Sequence, residues 1–166
     1  MTRGRDDEAA EGIGRAYDRY APDLYRYALM ILADREAAAD TVQQVFLAVL
    51  RRPAGDVDDI ERYLRRAVRN ECYSALRSRR RERVSVVDAP ILEAVAAAAD
   101  RPDERIALNR AIRSLPPEQR EVVHLKVFEG RTFQEIADLT GELANTIASR
   151  YRYAVEKMRA ELGARS

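Results

Sequence analysis

Residues 133–154, FQEIADLTGELANTIASRYRYA, decide the fold. Phe133, Ile136, Ala137 and Leu139 recur at helical spacing, which predicts a short amphipathic helix. Thr140-Gly141-Glu142 breaks it. A second helix is expected from Leu143 to about residue 161. At about 100° per residue, Leu143, Ile147, Tyr151, Ala154 and Met158 gather on one side. Asn145, Ser149, Arg152 and Glu156 lie opposite, flanked by Thr146 and Tyr153. Two short amphipathic helices around a tight break predict a helix-turn-helix. The second helix of such a unit enters the major groove. Asn and Arg can bond base edges bidentately there, while Ser, Thr and Arg can hold phosphates. Asn145, Thr146, Ser149, Arg150, Arg152 and Tyr153 are therefore the candidate duplex readers. Taken alone, the stretch fits a plain solvated helix pair almost equally well.

Moving upstream, Pro116-Pro117 can open a helix over about 118–128, which Gly130 stops. Another helix is expected over about 103–114. The stretch VSVVDAPILEAVAAAADRPDE, residues 84–104, has no polar face, two prolines and an alanine run. It predicts a linker, with room for a short helix at 91–98. Three helices are expected before it. The first begins near Gly14, after a frayed polar start, with Tyr17, Tyr20, Leu24, Tyr27, Ala28 and Ile31 at spacings of three and four. The second is capped by Asp34 and runs to about Arg51. Pro53-Ala54-Gly55 separates it from the third, at about 58–80. The expected architecture is all-α: two small helical domains, 13–83 and 103–162, joined by a flexible linker, 84–102.

The third helix has an apolar stripe of Ile60, Leu64, Ala67, Val68, Cys72 and Ala75. Cys72 then reads as a small core residue. The other side carries Arg62, Tyr63, Arg66, Arg69, Asn70, Tyr73 and Arg77 and runs into RSRRRER, residues 77–83. Arginines interleaved with aromatics suit a single strand: cations track the backbone and rings stack on bases. A solvated basic face would explain the arginines but not the tyrosines and Asn70. In the second helix, Ala38, Val42, Val45, Phe46 and Val49 face inward. Asp40, Gln43, Gln44 and Leu47 share the outer face, poor in charge and with an apolar centre, which suits a protein contact. An ordinary surface with one stray Leu fits it too.

Composition bounds the chemistry. The chain has 166 residues, 46% of them hydrophobic, so a packed core is expected rather than wholesale disorder. One Cys and one His exclude a disulfide within the chain and make a cysteine-based or His-rich metal site untenable. His124, within VVHLKVF, reads as a partly buried structural residue. No triad, paired-carboxylate site or glycine-rich phosphate loop is visible, so neither catalysis nor a cofactor is expected. No apolar run approaches the roughly 20 residues of a membrane span, and the N-terminus lacks a signal-peptide core. A soluble, cytoplasmic protein is expected. The net charge of +1 conceals blocks: −3 over residues 1–50, +5 over 51–83, −4 over 84–104 and +3 over 105–166. Two basic blocks around an acidic one suggest two polyanion-binding surfaces.

The stretches YDRYAPDLYRYALMILADREAAADTVQQVFLAVLRR (17–52) and LPPEQREVVHLKVFEGRTFQEIADLTGELANTIASRYRYAVEKMRAEL (115–162), in this order, resemble bacterial sigma-70-family factors of the extracytoplasmic-function (ECF) group. The resemblance implies a non-catalytic specificity subunit of RNA polymerase. The helix like ADTVQQVF would bind the clamp helices of core polymerase; Asp40, Gln43 and Gln44 fall on its motif, and Leu47 shares their face by periodicity. Phe46 also falls on that motif, but its inward side assigns it to packing. The helix like YLRRAVRNECYSALRSRRR would recognise and open the −10 promoter element. Asn70 matches a position lining a flipped-base pocket, which the loop 52–60 completes, and Tyr63 stands where Trp is usual. The helix-turn-helix would read the −35 element as duplex. Thr146, Ser149, Arg150, Arg152 and Tyr153 fall on contact positions. An anti-sigma factor is a further implied partner. The sequence departs from the family at Ser74, Leu143, Asn145 and Ala148, which bears on the promoter read. The rival expectation is an autonomous helix-turn-helix regulator that binds duplex DNA without polymerase, although such a protein has no need of a single-strand face.

Overall fold

The computed structural model describes residues 3–52, 58–82 and 101–164, and every regular element among them is helical. Helix α1 spans Arg3–Leu32, α2 Arg35–Arg51 and α3 Ile60–Glu82. The start of α1 lies well before Gly14, where the sequence places it. The added turns need no apolar stripe. Ala, Glu and Arg are good helix formers, and extending an existing helix costs far less than nucleating one. The α1–α2 corner is two residues long. Ala33 turns the chain in the left-handed region, φ 53°, a conformation that costs a residue with a Cβ about 1–2 kcal/mol. Asp34 then caps α2 as expected, its Oδ1 accepting from the Ala37 N–H at 2.9 Å. Its other oxygen pairs with Arg79 at 2.7 Å, which ties the end of α3 to the corner. Asp59 accepts from the Arg62 N–H at 3.0 Å at the start of α3.

In the C-terminal half, α4 spans Pro102–Arg113, α5 Pro117–Val123, α6 Phe133–Thr140 and α7 Ala144–Gly163. The single helix expected over 118–128 is divided: from His124 to Phe128 it continues as a π-helical turn. The Glu129 N–H reaches the His124 carbonyl at 3.1 Å, and Gly130 then stops the run at φ 67°. Thr132 and Glu135 form a reciprocal capping box at the start of α6. Gly141, at φ 74°, closes that helix, so the helix-turn-helix break lies where the sequence puts it. Leu143 is a correction. It was expected on the buried stripe, yet it is 75% exposed. It is the N-cap of α7, at φ −75° and ψ 144°, so helical periodicity does not apply to it. The short helix expected at 91–98, and residues 53–57 of the loop expected to complete the base pocket, lie outside the described residues.

The inward sets of α2 and α3 are placed as expected, with Ala38, Val42, Val45, Phe46, Val49, Leu64, Val68 and Cys72 buried. They pack on Leu24, Tyr27, Ala28 and Ile31 of α1. Ile112, Val122, Leu125, Ile136, Leu139 and Ile147 of the C-terminal half belong to the same continuous core. Helix α1 packs on α5, and α3 on α6, so the two halves lie against each other.

Candidate nucleic-acid interface

The polar side of α3 meets the C-terminal half. Glu121 of α5 is 1% exposed, and its carboxylate is the hub of the contact. Arg69 donates to both oxygens, Nε to Oε1 at 2.7 Å and Nη2 to Oε2 at 3.3 Å. The Tyr73 hydroxyl donates to Oε2 at 2.6 Å, and the Tyr27 hydroxyl of α1 donates to Oε1. Burial, and next the Glu121 charge, push both phenols above their ordinary range, so they remain donors. Burial alone would lower the Arg69 pKa, but the Glu121 charge and hydrogen bonds raise it. With its charge paired and its lone pairs used, Glu121 is a satisfied buried anion. The Arg69 guanidinium also lies over the Tyr73 ring at 4.7 Å.

Three further contacts surround the hub. Arg120, the neighbour of Glu121, is buried and donates to the carbonyls of Met30 at 2.7 Å, Ile31 at 2.6 Å and Leu115 at 2.6 Å. It thereby satisfies orphan carbonyls at the end of α1. Burial brings its pKa down to about 10. The π-helical turn swings Glu129 beneath His124, 3.0 Å from Nε2, where it also receives Arg65 at 2.6 Å and Arg131 at 2.8 Å. Arg66 and Arg62 reach the Asp138 carbonyl of α6 at 2.7 and 3.4 Å.

The expected −10 set is thus split. Arg62, Arg66, Arg69 and Tyr73 touch the C-terminal half, whereas Tyr63, Asn70 and Arg77 are exposed and point elsewhere. The expected −35 set lies together along α7. Asn145, Ser149, Arg152 and Tyr153 are exposed, Thr146 is half-buried, and Arg150 is held by Glu142 at 3.2 Å. On α2, Asp40, Gln43, Gln44 and Leu47 are exposed together. Leu47 and Tyr63 line one shallow groove between α2 and α3, with Gln44 and Ala67. No helix among the described residues is long and apolar enough to cross a membrane.

Residues 16–82 match the family described as Sigma-70 region 2, and residues 105–158 match Sigma-70, region 4. The chain is 31% identical over 156 residues to the ECF RNA polymerase sigma factor SigL of Mycobacterium tuberculosis H37Rv, covering 88% of this chain and 86% of SigL. The chain belongs to the sigma-70 family, in its ECF group. This sigma factor is also 30% identical over 165 residues to the ECF sigma factor SigK of Mycolicibacterium vanbaalenii, covering 93% and 83% of the two chains. Its fold is that of the sigma factor RpoE of Bartonella quintana, solved with the anti-sigma factor NepR: the TM-score is 0.70 at 24% identity, over 92% of this chain and 98% of RpoE. CnrH, solved with the cytosolic domain of CnrY, has the same fold at a TM-score of 0.65 and 23% identity, covering 97% and 96% of the two chains.

Reading the sigma factor's sequence alone passes over Arg65, Arg120, Glu121, Glu129 and Tyr27 as site residues. A signal was present: charges stand at otherwise apolar positions in LRRAV (64–68) and REVV (120–123). Buried charges need partners, so these positions announce a polar contact without naming the other side.

Proposed function

We propose that this ECF sigma factor binds core RNA polymerase, directs it to promoters and nucleates melting there, without itself catalysing a reaction. The observation that carries the reading is the pairing of two unlike polar faces on one helical chain. The α7 face offers exposed hydrogen-bonders and arginine to a duplex groove. The α3 face offers arginines, tyrosines and Asn70, a chemistry suited to unstacked bases and a single-strand backbone. In this reading Arg62, Tyr63, Arg66, Arg69, Asn70, Tyr73 and Arg77 serve the −10 element. Asn145, Thr146, Ser149, Arg150, Arg152 and Tyr153 serve the −35 element. A region 2 domain at 13–83 and a region 4 domain at 103–162 are joined by a linker at 84–102. The protein works in the cytoplasm, and an anti-sigma factor holds it until needed, as the complex of RpoE with the anti-sigma factor NepR suggests.

Extruding a base costs a few kcal/mol, so capture at −10 must follow secure anchoring elsewhere. The −35 contacts and core polymerase supply that anchor. The test is run-off transcription on fragmented bacterial DNA with purified core polymerase, with and without this protein. The expected result is discrete new RNA starts sharing two spaced upstream motifs. No new starts, with a control sigma factor active on the same core, would overturn the reading. The α2 face is tested separately. Asp40→Ala combined with Gln43→Ala weakens core binding, by about 1–3 kcal/mol if these residues lie at the centre of the contact. An unchanged core titration would remove that face from the mechanism.

A further inference from the structure

Leu143 stands where a leucine is locally unfavourable. It is 75% exposed, more than any other large hydrophobic side chain among the described residues. It is also the N-cap of α7, a position that favours a short side chain with an acceptor oxygen, and no side chain serves that cap. The cost is therefore double: apolar surface left in water and a cap left unmade. No packing offsets it, since Leu143 belongs to neither core cluster. A local rule broken without a structural return marks a functional position. Leu143 is moreover one of the four positions at which the chain departs from its family, so its role is particular to this factor.

The backbone beneath the side chain is fixed. Gly141 closes α6 at φ 74°. Glu142 pairs with Arg150, two turns into α7, at 3.2 Å. The Leu143 carbonyl accepts from the Ile147 N–H at 3.1 Å, which opens the α7 ladder. The side chain is thus held at the leading tip of α7, two residues before the exposed Asn145, and meets only solvent. A recognition helix reaches base edges with its N-terminal residues. Leucine has no donor or acceptor. On the edges of the major groove it matches one group, the C5-methyl of thymine. Over a G·C pair the same side chain would strip water from amino and carbonyl groups and return no hydrogen bond.

We propose, resting on the reading of α7 as the −35 face, that Leu143 is a specificity residue that packs against a thymine methyl at one A·T pair of that element. It adds an apolar check to the polar ones. Asn145, Ser149 and Arg152 test donors and acceptors, and Leu143 tests for the methyl. Stability in the first turn of α7 is given up for discrimination at one base pair, a trade common at functional sites.

The test uses holoenzyme assembled from the full chain and core polymerase, on a promoter mapped by run-off transcription. Each thymine of its −35 motif, on either strand, is replaced in turn by deoxyuridine, which keeps the base pair and removes only the methyl. Binding is measured in competition with the unsubstituted promoter. At one position the replacement should weaken the unaltered holoenzyme about fourfold, the worth of one buried methyl. Leu143→Ala should weaken binding to the thymine promoter by at least as much. It should lose nothing further when that thymine becomes deoxyuridine, because changes to two groups in contact are not additive. Leu143→Ser should bind like Leu143→Ala while unfolding at a higher denaturant concentration, which separates reading from stability. Equal deoxyuridine sensitivity at every position in the unaltered and Leu143→Ala holoenzymes would overturn the proposal, as would a −35 motif without an A·T pair. Lower core affinity in Leu143→Ala, with deoxyuridine sensitivity intact, would overturn it too and assign the leucine to polymerase. Failure of the functional reading is seen earlier and separately, as the absence of run-off starts with the unaltered chain.

Discussion

Glu129 is a carboxylate whose surroundings compete. Burial works to raise its pKa, but the hydrogen bond from His124, the Arg65 charge and the hydrogen bond from Arg131 outweigh it and bring the group down to about 2, from an ordinary 4.5. A depressed carboxylate stabilises the fold fully above its unfolded pKa, and the contribution disappears as pH falls through the folded value. The window here is therefore about pH 4.5 down to about 2. At neutral pH, Glu129→Gln should cost on the order of 3 kcal/mol. The gap between the two proteins should close as pH drops through that window. Urea unfolding of both, at several pH values, measures the gap, and a pH-independent difference would assign the loss to shape rather than charge. At this scale, the sequence shows what is buried better than what is paired. Cys72 reads as a core residue and is 0% exposed, whereas His124 reads as partly buried and is more deeply enclosed than that, at 4%. The partners of Glu121 lie on helices 48 to 94 residues away along the chain, and no local pattern links them.

Elements are legible where a local residue starts or stops them. Asp34 caps α2, while Gly130 and Gly141 take positive φ at the two breaks read from the sequence. Legibility fails where tertiary packing decides. The π-helical turn carries no breaker of its own, and it exists where His124 and Glu129 meet Arg65 of another helix. Leu143 fails for a different reason. The apolar periodicity of α7 runs one residue past the helix, so the N-cap was counted as a turn of stripe. An N-cap without a side-chain acceptor leaves amides of the first turn to water. Leu143 already has the extended backbone a capping residue uses, so Leu143→Ser should stabilise the protein by about 1 kcal/mol. Chemical denaturation would show this as a higher midpoint with an unchanged slope. An unmoved midpoint would mean that the first turn gains nothing from a protein acceptor.

At the scale of the whole molecule, the charge blocks anticipated two basic surfaces but not that one would be covered by the other half of the chain. The reason is physical. Charge along a sequence states what a surface can attract, whereas Arg69 found an anion in Glu121 and Arg66 a neutral acceptor in a helix-end carbonyl. Arg120 decides how tightly the halves act as one body. It bonds two carbonyls of α1 and one beside its own helix, all from a buried position. Removing it leaves these acceptors buried without a donor, at about 1–3 kcal/mol each unless water enters. The cheapest relief is to part the halves and wet the carbonyls. Arg120→Ala should therefore uncouple the molecule rather than merely weaken it. In the unaltered chain, the slowest amides of α1 and of α7 should exchange with one common opening free energy, because the larger of two core clusters spans both halves and includes Ile147 of α7. In Arg120→Ala the two sets should separate, each half keeping the lower stability of a small domain. If hydrogen exchange instead lowered both sets equally, Arg120 would be holding the core as a whole. The halves would then have to part by some route other than that interface.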